Sequence, residues 1–261
     1  MRWLLVFLAA SSVAFPADRP RVDLPLEPIY ELKVSDGKQR FGSRHDFDPA
    51  KPKPDIEGIA FVAVCTNAWL SGLVPIFAVE KTNRFELRRR PPRGQENYSE
   101  PLFFALPPDD EIDAREIAGR WEVDAVRGDS RVNCALELAV ETNTVAGRFD
   151  QYSEYRFADM MGGSFRSNVL QLRVEYTGDV YLLSATLTNG HLKGDWRRND
   201  NSEIGTWKAS RRDIEFTTST NVVELYEWRR GQERRYTVGA ERLDAGWERA
   251  GRPLCKVWVK P

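Results

Sequence analysis

Apolar and polar positions alternate with a period of two through the second half of the chain. Leu170, Leu172, Val174 and Tyr176 alternate with Gln171, Arg173 and Glu175, so one face of that segment is dry and the other wet. Tyr181, Leu183, Ala185 and Leu187 continue the rhythm beyond Gly178-Asp179, and Val132, Cys134, Leu136, Leu138 and Val140 share another apolar face. Asn189-Gly190 is the residue pair of a type I′ hairpin, which needs positive φ at both centres. Roughly eight such strands fit between Gly119 and Arg212. Hairpins of this size are not stable alone, and closing the sheet removes its exposed edges. The pattern therefore predicts an antiparallel barrel of roughly eight strands over 112–212, wide enough for packed side chains or one small ligand.

The flanks carry a second, slower rhythm. Pro28-Ile29-Tyr30-Glu31-Leu32 is followed by Arg40-Phe41 and by an apolar strand, 57–64. Val74-Pro75-Ile76-Phe77-Ala78-Val79 is followed by Arg84-Phe85 and by 100–105. Val223-Glu224-Leu225-Tyr226-Glu227-Trp228 is followed by Arg235-Tyr236-Thr237, Gly246-Trp247 and 253–258. An aliphatic–aromatic pair, a basic–aromatic pair and a closing strand thus recur, as expected of units that bury their faces by stacking on copies of themselves. The expectation is an all-β chain in which the barrel is inserted into a three-unit β-repeat module, with units one and two at 25–106 and unit three at 221–261. Phe15 to Glu27 reads as an unpatterned lead-in, and Pro107-Pro108-Asp109-Asp110-Glu111 and Asp213 to Asn221 read as solvated linkers.

Two resemblances bear on these readings. Leu225-Tyr226-x-Trp228, Arg235-Tyr236-Thr237, Gly246-Trp247 and Gly251 resemble the repeats of a family of secreted, mostly bacterial modules whose function is not established. The resemblance implies an all-β accessory module on extracellular proteins. The His usual in those repeats is replaced here by Arg40, Arg84 and Arg235. In the central block, Gly119-Arg120-Trp121 on the first strand and Arg211 at the end of the last resemble the calycin group of lipocalins, avidins and related small barrels. That resemblance implies that the Arg211 side chain lies across Trp121 and shuts one end of the barrel, a contact worth roughly 1–2 kcal/mol when partly desolvated.

Composition narrows the function classes. The chain has 261 residues, 41% hydrophobic and 30% charged, with net charge −1, so a packed core is expected and a phosphate-binding basic face is not. Arg88-Arg89-Arg90 is the densest basic run and reads as a solvated strand end, and no nucleic-acid partner is expected. Met1 to Ala14 reads as a secretory signal: Arg2 precedes an apolar run too short to span a bilayer, and Ser12-Val13-Ala14 supplies the small residues of a cleavage site. No cysteine follows that run to take a lipid anchor and no later run could span a membrane, so the mature protein is expected to be secreted or periplasmic. Export permits disulfides. Of the three cysteines, Cys134 belongs to a strand interior, which leaves Cys65 and Cys255 as the pair able to tie the first flank to the last.

Catalytic chemistry finds little support. The two histidines, His45 in a polar loop and His191 after a hairpin turn, have no nucleophile or carboxylate in sequence reach, and no metal-ligand or cofactor spacing is present. The balance leans against an enzyme. Two features suit binding. Tyr155, Phe157, Met160 and Met161, ahead of Gly162-Gly163, interrupt the strand rhythm and suit the mouth of a barrel holding an apolar ligand. Tyr30, Phe77, Tyr226, Trp228, Tyr236 and Trp247 suit either sugar stacking or a shared core of the flanking units. The leading expectation is an exported, non-enzymatic binding or adhesion module for glycan or cell-envelope polymer. The alternatives are a carrier of a small apolar ligand in the barrel and a secreted interaction or inhibitor domain.

Overall fold

The computed structural model describes residues 21–33, 39–44, 55–66, 69–81, 84–91, 100–150, 157–176, 178–211, 215–217, 221–239 and 242–259. The expected signal segment, His45 and Tyr155 lie outside these residues. In chain order the first strands are β1 (Arg21–Asp23), β2 (Leu26–Leu32), β3 (Arg40–Gly42), β4 (Ile56–Val64), β5 (Val74–Lys81), β6 (Arg84–Arg88) and β7 (Phe103–Ala105). A single turn-and-a-half helix, α1 (Ile112–Ile117), precedes β8 (Gly119–Arg127), β9 (Ser130–Glu141), β10 (Thr144–Asp150), β11 (Phe157–Arg166), β12 (Val169–Tyr176), β13 (Asp179–Thr188), β14 (His191–Arg198) and β15 (Ile204–Ser210). The chain ends with β16 (Glu215–Thr217), β17 (Asn221–Arg230), β18 (Glu233–Val238), β19 (Glu248–Arg249) and β20 (Cys255–Val259).

Strands β8 to β15 form a closed eight-stranded antiparallel barrel, each strand pairing with its sequence neighbours and β15 pairing back onto β8. Asn189 and Gly190 both have positive φ, 51° and 74°, as a two-residue turn of matching twist requires. The inward face is continuous through the buried Trp121, Leu136, Leu138, Phe165, Leu170 and Leu192.

The remaining long strands make a second sheet from both sides of the barrel in sequence, in the order β18-β17-β20-β4-β7-β5-β6. Its three triplets share one pairing scheme: β2 pairs with β3 and β4, β5 with β6 and β7, and β17 with β18 and β20. The three third strands meet in a cycle. Val64 pairs with Phe104, Leu106 just beyond β7 pairs with Lys256, and Trp258 pairs with Val62. The three second strands converge too. Phe41 lies 6.2 Å from Phe85 and 6.0 Å from Tyr236, ring centre to ring centre. Leu87 N donates to the Tyr236 hydroxyl at 2.8 Å, so the outer strands β6 and β18 nearly close this sheet as well. Ile29, Ile76 and Leu225 sit fully buried at the matching place on each first strand.

The structure corrects three expectations. The lead-in is not unpatterned and the return segment is not merely a linker, because β1 in the one and β16 in the other pair in parallel. The expected linker before the barrel is largely buried: Pro107, Pro108 and Glu111 are covered, and only Asp109 and Asp110 are exposed, paired with Lys256 and Arg252. The Arg88-Arg89-Arg90 run is not a solvated end either. Arg89 is 2% exposed, with its guanidinium donating to both Glu111 carboxylate oxygens at 2.8 and 2.6 Å and to Val140 O at 2.6 Å. It joins β6 to the approach of α1 and to barrel strand β9. An unpaired guanidinium would not tolerate that burial; the bidentate carboxylate and the carbonyl make it sustainable.

No disulfide forms. Cys65, Cys134 and Cys255 are all buried thiols. The expected Cys65–Cys255 bridge is therefore absent, although β20 pairs directly with β4 through Trp258 and Val62; Val64 beside Cys65 pairs instead with Phe104, and Lys256 beside Cys255 with Leu106.

Candidate functional site

The barrel's two ends differ. At the end where β8 begins and β15 finishes, the Trp121 indole is fully buried and its Nε1 donates to Ile117 O at 2.8 Å. The Arg211 guanidinium lies 5.1 Å from the centre of that ring, with Nη1 donating to Arg115 O at 3.1 Å and Ala118 O at 3.3 Å. The side chains of Val145, Phe165, Leu170 and Leu192 fill the space beneath. This end is shut.

The opposite end, where β8 turns into β9, encloses a cavity of about 290 Å³. Ala125, Val132, Val174 and Leu183 form its aliphatic wall, Cys134 lies at its floor, and Tyr181, Trp196 and Trp207 supply aromatic surface. The space follows from side-chain size. Ala125 faces Trp207 across the β15–β8 pair, and Gly205 faces Trp196 across β14–β15. A Cβ on Gly205 would sit 2.6 Å from the Trp196 ring, so that indole occupies the place of the missing side chain and leaves the mouth empty. The cavity lies at the lower edge of the ~300–1,000 Å³ that ligand pockets occupy.

Polarity is confined to a few points. The Trp207 Nε1 donates to Asp195 O at 3.2 Å, whereas the buried Trp196 Nε1 has no hydrogen-bond partner. Tyr181 stands edge-on to Trp196 with ring centres 6.0 Å apart. Burial, and then the carboxylates of Glu203 and Asp179, push the Tyr181 hydroxyl above its usual range, so at neutral pH it is a donor rather than an anion. Arg127 pairs with Glu203 at 3.0 Å on the rim. The walls thus offer apolar contact, and the rim carries balanced charge.

The chain matches no family model and no curated protein. The reading of the site therefore stands on its geometry.

Among the residues singled out from sequence, Phe77, Tyr226, Trp228 and Tyr236 are buried, and their ring faces are spent on internal packing rather than offered to sugars. Tyr236 is at the meeting point of the three triplets; Trp228 Nε1 donates to Thr237 Oγ1 at 2.9 Å. Tyr226 is covered by Arg249, whose guanidinium is 4.8 Å from the ring centre. Trp247 is half-buried, with the Arg230 and Arg235 guanidiniums at 4.7 and 5.3 Å from its ring. Tyr30 is half-buried on β2. Phe157, Met160 and Met161 belong to β11, where Met161 pairs with Gly147 and Val174 and Phe157 with Asp150; their side chains lie outside what is described.

Sequence reading missed Trp196 and Trp207 as pocket residues. Their inward parity was available, since both follow an inward glycine by two positions, but nothing in the alternation reveals that the space beside them is unfilled. Among the described residues, no three His, Cys, Asp or Glu side chains converge to hold a metal ion, and no helix is long and apolar enough to cross a membrane.

Proposed function

We propose that the protein is an exported, non-enzymatic binding protein whose barrel takes up a small apolar ligand through its open end. The observation that carries this reading is the asymmetry of the barrel: one end is sealed by Trp121 and Arg211, and the other holds an aromatic-walled cavity of about 290 Å³. The Tyr181 hydroxyl would orient a ligand bearing one acceptor. The three flanking triplets are, in this reading, copies of one repeat unit, supported by their common pairing scheme and their converging aromatics. They support the barrel instead of presenting rings to a glycan, since most of those rings are buried.

The test is titration with the neutral apolar dye N-phenyl-1-naphthylamine, followed by its fluorescence. Saturable binding of one dye per chain is expected, abolished by Val132→Trp, which places a bulky ring at the mouth. Equal dye binding by the wild type and the variant sinks the cavity as the site. Export is tested separately: the mature chain recovered from outside the cytoplasm should begin at Phe15.

A further inference from the structure

A second concave feature lies on the outside of the barrel; Leu183 and Trp196 border both spaces, and its other lining residues are its own. It crosses five neighbouring strands, β11 to β15, and has a volume of about 740 Å³. Two cross-strand rows border it. One is Ser164, Gln171, Ser184, Asp195 and Thr206, each the register partner of the next. The other is Gly162, Arg173, Leu182, Arg197 and Ile204, paired in the same way. Between them runs a row whose side chains point inward, from Gly163 to Gly205. The sheet is pinched at both ends of that row. A Cβ on Gly163 would meet the Gln171 carbonyl oxygen at 2.0 Å, and one on Gly205 the Val126 carbonyl oxygen at 2.1 Å. The groove faces away from the second sheet, because it is the outer side of β9 and β10, with Glu137, Ala139 and Arg148, that is buried in the body of the protein.

We propose that this groove binds a neutral oligosaccharide laid across the strands. Four strand spacings give a length of roughly 19 Å, the reach of about four linked sugar rings. The first row supplies hydroxyl, amide and carboxylate groups, and the second supplies guanidiniums, an inventory of donors and acceptors matched to sugar hydroxyls. Leu182 and the 68% exposed Ile204 add an apolar lip for sugar C–H faces. Other polymers fit less well. An extended peptide docks by adding a strand to a free edge, and a closed barrel has none. A polyanion would meet Asp195 in the middle of the groove, and the charge of Arg173 is already paired with Glu175.

Isothermal titration calorimetry on the full chain tests this with tetramers of β-linked glucose, xylose, mannose and N-acetylglucosamine, and of α-linked glucose, each beside its monosaccharide. At least one tetramer should bind one per chain, its monosaccharide about tenfold or more weakly, the equivalent of ~1.4 kcal/mol. Asp195→Ala and Arg197→Ala should each weaken the tetramer about tenfold, as loss of a hydrogen bond to a charged group does. Ser184→Trp should block the groove while leaving N-phenyl-1-naphthylamine binding in the cavity intact, which separates this site from the one inside. The inference is overturned if no tetramer binds at millimolar concentration, or if Ser184→Trp binds it as the wild type does. Tighter, steeply salt-dependent binding of heparin, lost on Arg173→Ala, overturns it in favour of a polyanion surface.

Discussion

The two sheets solve the problem of exposed edges in different ways. The barrel is one continuous stretch of chain in which every strand pairs with its neighbours in sequence, and a single pairing between its first and last strands closes it. The second sheet gathers strands from 26–105 and from 221–259, so its closure depends on contacts across the whole chain, such as Leu87 with Tyr236. Their centres differ as well. Phe41, Phe61, Phe85, Phe103 and Tyr236 pack the second sheet solid, with Phe61 and Phe103 5.3 Å apart, whereas the barrel is solid at one end and hollow at the other. The lesson is that a sheet built from triplets meeting on a shared centre has no interior to spare, while a barrel has one to fill or to leave open.

The largest expected effect lies where the two bodies join. Arg89→Ala should cost about 3–5 kcal/mol in chemical denaturation, since it strands the buried Glu111 carboxylate and Val140 O. Replacing both partners, Arg89→Met with Glu111→Leu, should recover most of that loss. A small cost for the single change would show that the barrel does not lean on this pair.

Next comes the contrast between packed and hollow centres. Phe41→Ala should cost about 3–5 kcal/mol, because the surrounding rings cannot collapse onto the void. Leu183→Ala should cost under about 2 kcal/mol, because it enlarges an existing space. Equal costs would erase the distinction. Smaller again is Arg211→Ala, which should lose about 1–2 kcal/mol with the indole contact and leave dye affinity at the far mouth unchanged. A change in affinity would mean that the two ends are coupled.

The last effect is absent at neutral pH. Burial in the second sheet pushes the Cys255 thiol from its usual 9.0 up to about 12, with Arg89 opposing weakly. A raised folded value favours the neutral thiol, so its contribution to stability is whole below 9.0 and is lost as pH climbs through about 12. Burial also raises the Tyr236 hydroxyl, which acts in the same direction. Stability should therefore fall in alkali, by about 1.4 kcal/mol per pH unit from Cys255 at most. Cys255→Val should flatten that fall in pH-dependent denaturation; an unchanged slope would assign it to Tyr236 instead.

Much of the barrel was legible because its information is local. Alternation tells which side chains face inward, and pairs such as Asn189-Gly190 mark the turns, so neighbouring strands follow without knowledge of the rest. The flanking strands were legible for the same reason, although their first strands run longer than the apolar patterns and the closing strands β7 and β20 run shorter. Arg89 was not legible. Between two other arginines its identity suggests solvent, and its burial depends on Glu111 and on β9, which arrive later in the chain. That Cys65 and Cys255 stay free thiols was equally hidden, since it turns on how β4, β7 and β20 meet in a cycle of three pairings.

By itself the sequence determined the strands, their wet and dry faces and the turns that join them, because these depend on residue periodicity and on backbone preferences of a few adjacent positions. It also placed Trp121 and Arg211 at the two ends of one block. Tertiary structure alone decided which aromatics became core, which charges were buried in pairs, and where space was left. Those outcomes depend on how volumes and charges from distant strands add up at one place: Trp196 lies against Gly205 and Ala125 opposes Trp207, so the barrel mouth stays open.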